Sequence, residues 1–184
     1  MLKKSYYVIA AATAIILAAA VFAFRGKDAS LIGKYRTFLS DAIDEDDGMI
    51  CTVNIATTQE LNPTGVNINA NVGMTFHFGG AFEFDDVQLR YLMRLNGDWH
   101  VSDDNLSMKP DTASFSYAYV GSSAKNNVED AMARQLMKFV DVSIVPKLRR
   151  KIIEANGRPL RIRYRTRGGV IGQDADRYVV MISQ

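Results

Sequence analysis

The chain is poor in the residues that carry most catalytic and metal chemistry. It holds one cysteine, Cys51, and two histidines, His77 and His100, in 184 residues. A single thiol excludes an internal disulfide. Cys51 stands in the alternating run from Met49 to Ile55, the setting of a buried small side chain rather than a reactive one. Neither histidine has a second metal ligand at helical or hairpin spacing, so no metal site is expected. The sequence lacks H-E-x-x-H, G-x-S-x-G and a Walker glycine loop, which removes motif support for hydrolysis and nucleotide binding. Asp85-Asp86 and Asp103-Asp104 adjoin turns, where acids serve local hydrogen bonding. The sequence reads as a non-enzyme, with no catalytic residue and no cofactor.

What is present is an apolar start and a balanced remainder. Lys3 and Lys4 precede an uncharged run from Tyr6 to Phe24, and roughly 20 apolar residues cross a bilayer core. The run serves either as an uncleaved anchor or as a signal cut near Val21 and Ala23. Both readings export the rest of the chain, and the lysines favour a cytoplasmic N-terminus. No cysteine comes directly after the run, which excludes lipoprotein processing. The division is an N-terminal membrane segment, 1–25, and one periplasmic domain, 26–184, on a bacterial inner membrane. Hydrophobic residues at 48% and charged residues at 23% suit a globular domain. The net charge of +2 conceals an acidic stretch, Asp41 to Asp47, and a basic one, Lys147 to Arg167. Export disfavours nucleic acid as the partner of the basic stretch; an anionic membrane or an acidic protein suits it.

Hydrophobic periodicity orders the elements. Leu31, Tyr35, Phe38, Leu39 and Ala42 predict a short helix over Ser30 to Ile43 with Ser30 as cap. Met49 to Ile55 alternates as a strand, and Asn62-Pro63-Thr64-Gly65 is a turn. Val66 to Phe78 alternates apolar residues with asparagine, threonine and His77, which predicts a long strand with one buried face. Val87 to Leu95 is the next strand, and Asn96-Gly97 signals a hairpin returning through Trp99 toward Met108. Phe115, Tyr117 and Tyr119 mark another strand. From Val128 to Ala155 the period becomes helical, with a kink expected at Pro146 and a cap at Asn156-Gly157. Leu160, Ile162 and Tyr164 alternate with arginines, Arg167-Gly168-Gly169 turns, and Arg177 to Ile182 ends the fold as a strand. The class is α+β: an N-terminal transmembrane or signal helix, then a curved antiparallel β-sheet wrapped on a long C-terminal helix.

This order, with Val66 to Met74 as a long strand, Met132 to Ala155 as the long helix, Arg158-Pro159-Leu160-Arg161-Ile162 as a proline-led return and Tyr178 to Ile182 at the end, resembles the YceB-like periplasmic lipoproteins, relatives of the tubular lipid-binding proteins. The chain departs from them in lacking the lipid-attachment cysteine. The resemblance implies a sheet wrapped on a helix and lipid binding, and it transfers no catalytic residue.

Two functional readings are open. In the first, a lipid or other apolar ligand lies between sheet and helix against Val72, Met74, Phe76, Leu89, Tyr91, Met93, Leu136, Phe139 and Val140. Those residues equally suit a dry core. In the second, the domain is a scaffold or interaction subunit of an envelope or secretion assembly. Arg161, Arg163 and Arg165 project from one strand face as an anion or partner surface in either case.

Overall fold

The computed structural model describes residues 28–44, 49–78, 86–166, 169–174 and 177–183. The expected N-terminal membrane segment lies outside them, as do Gly79-Gly80 and Arg167-Gly168. No helix among the described residues is long and apolar enough to cross a membrane.

Among the described residues, eight antiparallel strands close into a ring in sequence order. They are β1 (Gly33–Asp44), β2 (Met49–Asn62), β3 (Gly65–Phe78), β4 (Val87–Ser102), β5 (Asn105–Ser122), β6 (Leu160–Thr166), β7 (Gly169–Asp174) and β8 (Arg177–Ser183). Between β5 and β6 the chain forms α1 (Asn127–Phe139), a π turn (Val140–Ile144) and α2 (Val145–Gly157). The long strands β1 to β5 pair along most of their length. The seams to the short strands are narrow: β5 meets β6 only at Asn105 and Leu106, and β1 meets β8 only at Tyr35 and Arg36. A curved sheet with a C-terminal helix is therefore the observed architecture.

Alternation on β3 and β4 works as the sequence predicts. Val66, Ile68, Ala70, Val72, Met74 and Phe76 are buried, as are Val87, Leu89, Tyr91, Met93 and Leu95. The helix covers this face with Ala133, Leu136, Val140, Ile144, Leu148 and Ile152. Most of these recur every four residues, a spacing that drifts about 40° per step on a regular helix. The π turn, in which the Val145 N–H donates to the Val140 carbonyl, unwinds the middle and keeps the stripe on the sheet. It also accommodates Pro146, whose ring in a regular helix meets the carbonyl four residues back. The expected irregularity at Pro146 thus takes the form of a widened turn just before it.

Three local expectations are corrected. Residues 33–44 are a strand, not a helix, preceded by a single 3-10 turn, Ala29–Leu31, capped by Asp28 rather than Ser30. The helical spacing put Tyr35 and Phe38 on one face; the strand buries Tyr35 and leaves Phe38 67% exposed. Twelve residues of pairing with β2, from Gly33↔Leu61 to Asp44↔Ile50, outweigh local periodicity.

Asn96-Gly97 is not a turn but lies inside β4. The hairpin closes at Asp103-Asp104, both with left-handed φ, the backbone of a type I′ turn that aspartate tolerates. Gly97 is needed for close approach: a Cβ there would stand 2.5 Å from the Lys109 carbonyl oxygen. Met108 and Phe115 consequently share one strand, β5, rather than two.

Finally, helix α2 does end at Gly157, but no left-handed cap forms. The chain leaves extended at Arg158, ahead of Pro159, which disfavours helical backbone before it. β7, between the expected turn at Arg167 and the terminal strand, had no distinct apolar pattern.

Candidate functional site

The irregular stretch of β5 faces the irregular stretch of the helix. Asn96 pairs with Asp111 and Arg94 with Ser116, so β5 carries several extra residues over one residue of β4. Ser114 stabilises this bulge: its hydroxyl accepts from the Asn96 amide at 2.8 Å and donates to the Asp111 carbonyl at 2.7 Å. Opposite stands the π turn. Between them runs an open groove of about 510 Å³, lined by Thr112, Ala113, Phe115 and Tyr117 on one side and Asp141, Val145, Pro146 and Arg149 on the other. Bulges and π turns both recur at functional positions because each re-aims side chains out of the regular lattice.

Arg149 ties the two walls together. Its Nη2 donates to the Thr112 carbonyl at 2.9 Å, and its guanidinium lies 5.6 Å from the Phe115 ring centroid, a cation–π distance. Behind Tyr117 is Tyr91, whose ring centroid is 6.4 Å from that of Tyr117 and 5.6 Å from that of Tyr119. Tyr91 is 2% exposed, and its hydroxyl has no hydrogen-bond partner. Burial raises its pKa well above the usual tyrosine value, with Asp141, Tyr119 and Tyr117 adding to the rise. A buried hydroxyl without a partner costs ~1–3 kcal/mol, which makes it a conspicuous feature beside a groove.

The nine residues expected to line a ligand site do come together, at the interface of β3, β4 and the helix. Val72, Met74, Phe76, Leu89, Tyr91, Met93, Leu136 and Val140 are buried, and Phe139 packs against them. Tyr91 is the member that also adjoins the groove. Sequence places Phe115 and Tyr117 on a strand and Pro146 at a kink, but gives no sign that they line one groove with Asp141, Val145 and Arg149. The sequence signal for them was the aromatic alternation Phe115, Tyr117, Tyr119 on a strand followed by a helix containing proline. Of the arginine surface, Arg161 and Arg163 are exposed on β6, and the side chain of Arg165 lies outside the described residues.

A polar cluster stands on the outer face of the sheet. His77 Nδ1 is 2.8 Å from Asp86 Oδ2, and His77 Nε2 is 3.2 Å from Thr52 Oγ1. The order hydroxyl, imidazole, carboxylate is that of a nucleophilic relay, but the setting differs. Thr52 lies in β2, paired to β1 and β3 on its two sides, so the ladder occupies the backbone donors that an oxyanion hole would need. Among the described residues no group of three or more histidine, cysteine or acidic side chains could hold a metal ion. Cys51 is buried, as its alternating run predicts.

No known protein-family model matches the chain, and no curated protein is significantly similar to it.

Proposed function

We propose that the chain is a non-enzymatic module of the bacterial envelope, tethered to the inner membrane by the apolar run Tyr6 to Phe24, which takes a lipid or other apolar ligand in the groove between β5 and the helix. The observation that carries the reading is the Tyr91 hydroxyl, buried without a partner behind an aromatic wall that opens to solvent through Tyr117, itself 43% exposed. An apolar chain lying on Phe115, Tyr117, Val145 and Pro146 would cover that wall. The YceB-like resemblance points the same way.

Titration of the full chain in detergent with a fluorescent fatty acid tests this. Saturable uptake is expected, weakened at least several-fold by Tyr117→Ala. Absence of uptake by the parent chain defeats the ligand reading.

A second reading, docking of a protein subunit, draws on the edge of β5. Beyond Leu106 no described strand pairs with its outer side, and Tyr119, Val120 and Val142 are exposed nearby. Recovery of a stoichiometric protein partner with the detergent-extracted chain, in place of lipid, is the outcome that selects it.

A further inference from the structure

The groove between β5 and the helix is charged at its two ends and apolar between them. Arg149 stands at one end, where it donates to the Thr112 carbonyl and lies over the Phe115 ring. Asp141 stands at the other, close enough to Tyr91 that its charge adds to the rise in the tyrosine pKa. The two are about two helical turns apart, roughly 12 Å along the axis. Val145 and Pro146 lie between them on the helix wall, across from Phe115 and Tyr117 on the strand wall.

Two other arginines of the helix find acids on the helix itself: Arg134 pairs with Asp130 and Arg150 with Glu154. No carboxylate among the described residues pairs with Arg149, and no base among them pairs with Asp141. Both side chains are exposed, and Arg149 is the one base among the residues that line the groove. A guanidinium carries its donors in a planar fork that matches an oxyanion. Arg149 commits Nη2 to Thr112, which fixes the position of the fork and leaves its other donors open to a ligand. The site therefore offers one held cation at the end of an apolar strip.

We propose that the groove takes a long-chain carboxylate, with the carboxylate on Arg149 and the acyl chain running over Phe115, Val145 and Tyr117 toward Asp141. The proposal rests on the ligand reading under Proposed function and gives that ligand a head group and a direction. One guanidinium and one apolar strip complement one anionic charge on one chain. A diacyl phospholipid would bring a second chain and a larger head, which no lining residue meets. The reverse orientation sets a carboxylate beside Asp141, where like charges repel. An exposed charge pair is weakened by solvent and salt, so Arg149 selects between head groups while the apolar wall supplies most of the affinity.

The test photolabels the full chain in detergent with two oleate analogues, one carrying a diazirine beside the carboxylate and the other at the far end of the acyl chain. Labelled peptides are mapped by mass spectrometry. The head-borne diazirine is expected to label around Thr112 and Arg149, the tail-borne one around Tyr117 and Asp141. Unlabelled oleate should displace either analogue several-fold better than oleyl alcohol. Arg149→Gln is expected to remove that preference, Arg149→Lys to keep part of it, and 1 M salt, where the Debye length shrinks to about 3 Å, to narrow it. If Arg149→Gln weakens oleate and oleyl alcohol alike, Arg149 only shapes the groove and the head assignment is overturned. Equal displacement by the two in the parent chain, or the same labelled positions from both analogues, overturns it as well and leaves an apolar ligand in the groove. Stronger displacement by lysophosphatidylglycerol than by oleate overturns the carboxylate in favour of a phosphodiester. No label on β5 or the helix overturns the ligand reading and the head assignment together.

Discussion

At the scale of single residues, Tyr91 is the most informative position. Replacing it by phenylalanine removes a hydroxyl that is buried and unpartnered, so Tyr91→Phe is expected to stabilise the ligand-free chain by ~1 kcal/mol rather than cost stability. The same variant changes alkaline behaviour. The folded state holds the phenolic proton above the ordinary value of about 10. Its contribution is therefore complete below that pH and is lost as pH rises through it, because the unfolded chain ionises first. Thermal melts above pH 10 should fall more steeply for the parent chain than for Tyr91→Phe; identical slopes would remove Tyr91 from the account. Face assignment on β3 has its own check. Phe76 is fully buried and Asn69 lies on the outer face, so Phe76→Asp should destabilise by more than ~3 kcal/mol. Asn69→Asp should stay within ~0.5 kcal/mol of the parent in urea unfolding.

At the scale of elements, the helix is held at its two ends by polar contacts and between them by apolar packing. Its start is a capping box: Asn126 Oδ1 accepts from the Val128 and Glu129 amides, and Glu129 reaches back to the Lys125 amide. Its far end is pinned in the core by Asn156, which accepts from Gln59 and donates to the Ile152 carbonyl. Asn156→Leu strands the Gln59 amide and should cost ~1–3 kcal/mol, whereas Gln59→Leu with Asn156→Leu should recover part of the loss, since an apolar pair leaves nothing unsatisfied. Denaturant melts of the three variants decide it; a double variant no more stable than the Asn156 one would mean that the bond is a net contributor. The element borders that sequence misplaced share a cause. Residues 33–44 and Asn96-Gly97 carry local signals for helix and turn, and both are overruled by long antiparallel ladders that only partner strands supply.

At the scale of the whole molecule, the ring is closed by two narrow seams, β1 to β8 and β5 to β6, and the helix passes along β5. The groove exists because β5 outruns its pairing with β6. On the proposed topology, alkaline phosphatase fused after Gln184 should be active, and a reporter that works only in the cytoplasm should be silent at the same place. The reverse result would refute the proposed export.

The sequence by itself determined the long alternating strands, the buried Cys51, the extent of the C-terminal helix and the class of the fold, since period and length are local properties that burial then rewards. It also grouped the core residues of β3, β4 and the helix correctly, without indicating that their neighbours on β5 would be left partly open. The groove and the orphaned Tyr91 hydroxyl were decided only by tertiary structure. Each arises from register, a bulge or ring closure, and such relations join residues far apart in sequence whose side chains carry no mark of the partner they will meet.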